Sequence, residues 1–134
     1  MGYLTRIGST LIGEAMQLPD ELLREYPELA QMRLRRGGLA PRLAGWVIGQ
    51  TAVAAITLGR TIFFGPRTAI GASLLLHELR HVEQFRERRT FPLRYIWESI
   101  RRGYHLNRYE VDARTYAARR LAQTVRTLPP RKPK

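Results

Sequence analysis

Apolar positions along the chain change their period several times, and each change marks an element. Leu4, Ile7, Leu11, Ile12 and Ala15 recur at helical spacing and predict one helical face within residues 1–17, although Gly8 and Gly13 weaken it. Pro19, Asp20 and Glu21 open a better helix, because Pro suits an early helical position and acids suit the first turn. Leu22, Leu23, Tyr26 and Leu29 supply its apolar side, and Pro27 interrupts it, so a separate turn is expected over 28–32. Met32, Arg33, Leu34 and Arg35 then alternate apolar with basic, as a short strand does, and Gly37 and Gly38 end it. Residues 39–43 read as a turn or a short helical segment.

From Trp46 onward the apolar residues become β-like, with Val47, Ile48, Val53, Ile56, Thr57, Thr61, Ile62 and Phe63. A tight turn at 58–61 would join strands 53–57 and 61–64, and Gly65 and Pro66 would stop the second. Thr68 is placed to cap a helix over about 69–88, which carries Leu74, Leu75, Leu76, Val82 and Phe85. A further helix over 92–102 sets Leu93, Ile96, Trp97 and Ile100 on one face, and Gly103 ends it. Asn107 looks like the N-cap of a last helix over 108–127, and residues 129–134 form a basic tail expected to be disordered. The sum is an α+β chain, mostly helical, with a small β-sheet or hairpin before the 69–88 helix, organised as one domain over 1–128.

With 134 residues and 44% hydrophobic content, the chain can bury a modest core. It has no cysteine, so disulfides and thiolate metal sites are excluded, and a metal would have to use His, Glu or Asp. The net charge of +12 comes almost entirely from arginine, clustered at Arg33/Arg35/Arg36, Arg86/Arg88/Arg89 and Arg101/Arg102. Such charge attracts nucleic acid or an anionic surface, but aromatic residues are not interleaved with it and no nucleic-acid motif appears. A solvated surface with at most weak contacts of that kind is expected. Residues 1–16 do not make a secretory leader, and the apolar run 43–59 is broken by Gln50, Thr51 and Thr57 before it reaches the ~20 residues of a membrane span. A cytoplasmic location is the expectation.

The chemistry concentrates in one stretch. His77, Glu78, Leu79, Arg80 and His81 form His-Glu-x-x-His on the 69–88 helix. Positions i and i+4 share a helix face, so both imidazoles can aim at one point, as zinc ligands do. Glu78 points about a quarter turn away, where a carboxylate reaches a metal-activated water without ligating the metal. Two histidines and an intervening glutamate are costly to bury unless they share a task.

A catalytic zinc site needs a third protein ligand. Glu110 follows at the start of the last helix, and a return of that helix onto the first would complete a His₂Glu set. Glu110 also occupies the capping-box position after Asn107, a reading that does not exclude ligation. His105, in the preceding loop, is the other candidate.

His77-Glu78-Leu79-x-His81-Val82-x-Gln84, preceded by the stretch Gly59 to Phe64 and followed by Asn107-x-x-Glu110-x-x-Ala113-Arg114, resembles small bacterial metallopeptidase-like domains of the gluzincin type. The resemblance covers roughly 18–118. It implies a minimal zincin-like fold, with zinc (Zn²⁺) held by His77, His81 and Glu110, Glu78 as general base, and the hairpin as a rim strand for an extended peptide. Two positions depart from the pattern. Arg114 stands where thermolysin carries an acid four residues after its ligand Glu, which leaves the carboxylate that would orient a ligand His unassigned. Arg108 follows Asn107 where the family has Asn-Pro. Arg114 could instead pair with Glu110 or Asp112.

The reading that follows is a zinc metallopeptidase acting on a peptide or protein substrate, in which Glu78 takes the proton of the water and passes it to the leaving amine. Tyr104, His105, Tyr109 and Tyr116 are the candidate oxyanion donors. One rival is a non-catalytic zinc-containing interaction module. The other is a SprT-like, nucleic-acid-associated metalloprotease with His105 as third ligand.

Overall fold

Alternation around Leu34 builds the second strand of a four-stranded sheet. The computed structural model describes residues 11–47 and 54–127, without the side chains of 44–47. Its strands are β1 (Glu14–Met16), β2 (Arg33–Arg36), β3 (Ala55–Leu58) and β4 (Thr61–Phe64), in the order β1-β2-β4-β3. β1 runs antiparallel to β2, β2 parallel to β4, and β4 antiparallel to β3. The helices are α1 (Asp20–Glu25), α2 (Ala40–Val47), α3 (Ala72–Glu87), α4 (Phe91–Arg102) and α5 (Arg108–Thr127), with a 3-10 turn at Pro27–Gln31. The fold is α+β, as the sequence pattern predicts.

The core is assembled on α3. Leu75, Leu76, Leu79 and Val82 meet Leu34, Ile62 and Phe64 from the sheet and Tyr26, Leu29 and Met32 from the turn region. Leu75, Leu76 and Leu79 are fully buried, a state that favours folding by roughly 1.5–3 kcal/mol for each side chain. α3 shares its largest interface with α5. The buried residues of α5 are Glu110, Ala113, Ala117 and Thr124, a 3-4-7 spacing that defines one face. The small alanines let that face lie close against α3. Arg36 donates from Nη1 to the carbonyls of Gly65 (3.3 Å) and Thr68 (2.9 Å), which fixes the loop leading into α3.

Several expectations are corrected. Residues 14–16 are a strand and not part of a helix: Gly13, at φ 71°, turns the chain so that Glu14–Met16 can pair with β2. Gly13 and Gly38 pack so closely there that a Cβ on Gly38 would sit 2.7 Å from the Gly13 nitrogen. Trp46 and Val47 belong to α2, whose start after Gly38 and early Pro41 outweigh the β preference of its last residues. The first hairpin strand is Ala55–Leu58, shifted from 53–57, and residue 53 lies outside the described residues. α3 begins at Ala72, with Gly71 as its N-cap; the Thr68 hydroxyl instead donates to the Ala54 carbonyl at 2.8 Å. Residues 1–10 of the expected first helix and the tail 129–134 also lie outside the described residues.

α4 carries its apolar stripe on one face, as the periodicity predicts, and that face is exposed. The stripe Leu93, Ile96, Trp97 and Ile100 faces away from the protein, with exposures of 72, 50, 61 and 75%. Phe91, Tyr95 and Glu98 face inward instead. No helix among the described residues is long and apolar enough to cross a membrane.

Candidate metal centre

α3 and α5 bring His77, His81 and Glu110 together. His77 Nε2 lies 2.9 Å from Glu110 Oε2, His81 Nε2 lies 3.2 Å from Glu110 Oε1, and the two Nε2 atoms are 3.2 Å apart. A tetrahedral zinc with bonds of about 2.0–2.1 Å sets its ligand atoms about 3.3 Å from one another. The two histidines approach opposite oxygens of the one carboxylate, and one ligand atom from each of the three residues falls within 4.8 Å of the others, close enough for a shared ion; the donor set is the nitrogen and oxygen set that zinc takes in the absence of thiolates. Glu110 occupies the third helical position after Asn107, but its carboxylate does not turn back to close a capping box. Asn107 caps α5 alone, accepting the Tyr109 N–H at 2.9 Å.

Electrostatics tie the three groups together. Burial alone would raise the pKa of Glu110, but hydrogen bonds from His77, His81 and Tyr95 and the charge of His81 hold it well below the usual carboxylate range. Burial alone would lower His81, and its hydrogen bond to Glu110, with the charges of Glu78 and Glu110, raises it above its ordinary value.

Gln84 fixes the His81 ring. Its Nε2 donates to the Tyr109 carbonyl at 3.1 Å and to Asp112 Oδ2 at 3.0 Å. Its Oε1 must then face His81 Nδ1, 2.7 Å away, and accept the proton there. The neutral ring accordingly presents its Nε2 lone pair to the centre. Asp112, which the sequence leaves without a role, anchors this chain of bonds and also accepts from Arg80 Nε at 2.7 Å. Arg114 pairs with neither Glu110 nor Asp112; it donates to the His105 carbonyl. The clue to Gln84 was its i+3 spacing from His81.

Glu78 is buried beside the centre, and Thr57 of β3 donates to its Oε2 at 2.7 Å. Tyr95 of α4 donates to Glu110 Oε1 at 2.6 Å. Neither partner was legible in the sequence, since Thr57 lies 21 residues from Glu78 and Tyr95 lies 15 from Glu110 on a separate helix. Tyr104, half-buried, is held above its ordinary pKa by burial and by the charges of Glu110 and Glu78. Of the other candidate donors, Tyr109 packs on Phe91, while Tyr116 feels Glu83, Glu28 and Arg120. His105 is exposed, packs edge-on against Tyr104 and stands outside the group that could hold a metal.

Arginines that look like one charged surface in the sequence have separate duties here. Arg35 donates to the Gly13 carbonyl, Arg36 to the loop before α3, and Arg86 to the Gln31 side chain.

The model of one protein family, the eCIS core domain, a domain in extracellular contractile injection systems, matches residues 26–89. The matched stretch includes β2, the hairpin and α3 with His77, Glu78 and His81, and it ends before Glu110. No curated protein and no solved structure matches the chain.

Proposed function

We propose that this chain is a zinc-dependent, gluzincin-like metallopeptidase that hydrolyses peptide bonds, with His77, His81 and Glu110 as ligands and Glu78 as general base. The observation that carries this reading is the convergence of the three donor groups, one ligand atom of each within 4.8 Å of the others, beside a buried glutamate that is not one of them. Zinc bound there would supply Lewis-acid activation of a water molecule and of the scissile carbonyl. Thr57 occupies Oε2 of Glu78 and so aims the carboxylate, leaving Oε1 to accept the proton of the attacking water. The same carboxyl then delivers that proton to the leaving amine nitrogen. Tyr104, half-buried and within reach of the charges of Glu110 and Glu78, is the hydroxyl offered to the carbonyl oxygen as negative charge develops on it.

A second reading has one observation behind it. The match to the eCIS core domain takes in His77, Glu78 and His81 but stops before Glu110, which fits a zinc-containing interaction module within a multi-protein system as well as an enzyme. The SprT-like alternative loses support, because His105 is exposed and outside the group.

The deciding experiment measures zinc content and peptide cleavage together on the wild type and Glu78→Gln. About one zinc per chain in both, with cleavage only by the wild type, is the expected result. Zinc in both without cleavage would favour the interaction module. Failure of the wild type to take up zinc would end both readings.

A further inference from the structure

We propose that α4 is a peripheral membrane-docking helix that seats the protein on anionic lipid. Ordinarily an amphipathic helix turns its apolar stripe to the core. α4 does the reverse. At about 100° per residue, Leu93, Ile96, Trp97 and Ile100 centre on one side of the helix, and Phe91, Tyr95 and Glu98 centre on the opposite side. The inner side is engaged: Phe91 packs on Phe85 and Tyr109, Tyr95 bonds Glu110, and Glu98 pairs with Arg102 and Arg108. The outer stripe is at least half exposed at every position, and Leu106, just past the helix, adds a 68% exposed side chain. The helix cannot be rotated to bury this stripe without breaking the contacts of its inner side.

Charge selects the occupant. Arg94 and Arg101 are exposed along one flank of the stripe, and Arg88 and Arg89 are exposed just before the helix. Glu98 is the only acid in α4, and it is buried and paired. A second copy of the chain would bring like charges together. Nucleic acid would meet the arginines but leave the leucine and isoleucines with no partner. An anionic bilayer takes both: the stripe enters the boundary between headgroups and acyl chains, Trp97 lies at the interface, and the arginines reach the phosphates. The stripe is an exposed row of aliphatic and indole groups along one side of a helix, the form that lies in a membrane plane. Because Tyr95 holds Glu110 from the other side of the same helix, docking would place the metal centre close to the lipid surface.

The test is flotation of the full chain with phosphatidylcholine vesicles containing roughly one-quarter phosphatidylserine, against pure phosphatidylcholine. The wild type should float with the anionic vesicles and shift its tryptophan emission to the blue, a shift that Trp97→Phe abolishes. Ile96→Asp/Ile100→Asp should lower partitioning by at least about tenfold, with an unchanged melting curve because both residues are exposed. Arg94→Gln and Arg101→Gln should each lower it by about fivefold. No flotation on anionic vesicles would overturn the proposal and leave the stripe to an acidic protein partner. Equal flotation of the wild type and Ile96→Asp/Ile100→Asp would overturn it too, since binding would then come from net charge alone. Neither outcome depends on zinc or on cleavage.

Discussion

Gln84 accepts the Nδ1 proton of His81 at 2.7 Å while both of its own amide protons are held by Tyr109 and Asp112. The amide therefore cannot flip without losing bonds, and the imidazole cannot change tautomer without facing an acceptor it does not match. Replacing Gln84 with Met keeps the volume but removes every one of these bonds. Zinc affinity should fall by about 10–100-fold, the usual cost of losing the partner that orients a ligand histidine. Competition against a chromophoric chelator measures this, and an affinity within twofold of wild type would contradict the assignment.

Glu110 and His105 give a second contrast. Glu110→Gln keeps the shape but removes the charge that His77 and His81 share, so bound zinc should be lost or weakened by orders of magnitude. His105→Ala should leave zinc content unchanged, because its exposed ring lies outside the group. The reverse pattern would restore His105 as the third ligand.

How much of this was readable in the chain depends on the range of the interaction. Helix faces and caps are local, so the sequence itself marks α5 at 108–127 with Asn107 as its cap and Glu110 on its first turn. The α4 stripe was legible as a stripe, yet its direction was not. Periodicity gives a helix an apolar side without saying that another element will cover it. Thr57 and Tyr95 carry no local signal at all, since sheet register and helix packing bring them to Glu78 and Glu110. The β1–β2 pairing leaves no local signal for a similar reason: Gly13 and Gly38 make that close approach, and each alone reads only as a helix breaker or a turn.

Thr57→Val tests the support of Glu78, the proposed general base. The substitution is nearly isosteric and leaves Glu78 Oε2 buried without its donor. A lost hydrogen bond to a charged buried group costs about 1.5–3 kcal/mol, part of which should appear as reduced stability in urea unfolding. Zinc content should stay at the wild-type level while cleavage falls by about tenfold or more through kcat, because Glu78 is no longer aimed. An equal loss of zinc and cleavage would show that Thr57 supports the ligands and not the base.

Protonation of the same cluster gives opposite pH trends with and without metal. In the metal-free protein the Glu110 carboxylate is depressed, so its contribution to stability is complete above the ordinary carboxylate value of 4.5 and is lost as pH falls below it. His81 is raised, so its contribution is complete below the ordinary value of 6.5 and is lost as pH climbs from there through the folded-state pKa. The chelator-treated protein should thus have its highest Tm between these two values and lose stability on the alkaline side. Zinc requires His81 unprotonated at Nε2, so its affinity should rise over the same alkaline interval. The gap in Tm between zinc-loaded and chelated protein should therefore widen with pH, and Glu110→Gln should flatten both trends. Melting curves recorded from about pH 5 to about pH 9, with zinc and with chelator, check this; a chelated protein that grows more stable above pH 6.5 would contradict the coupling of His81 to Glu110.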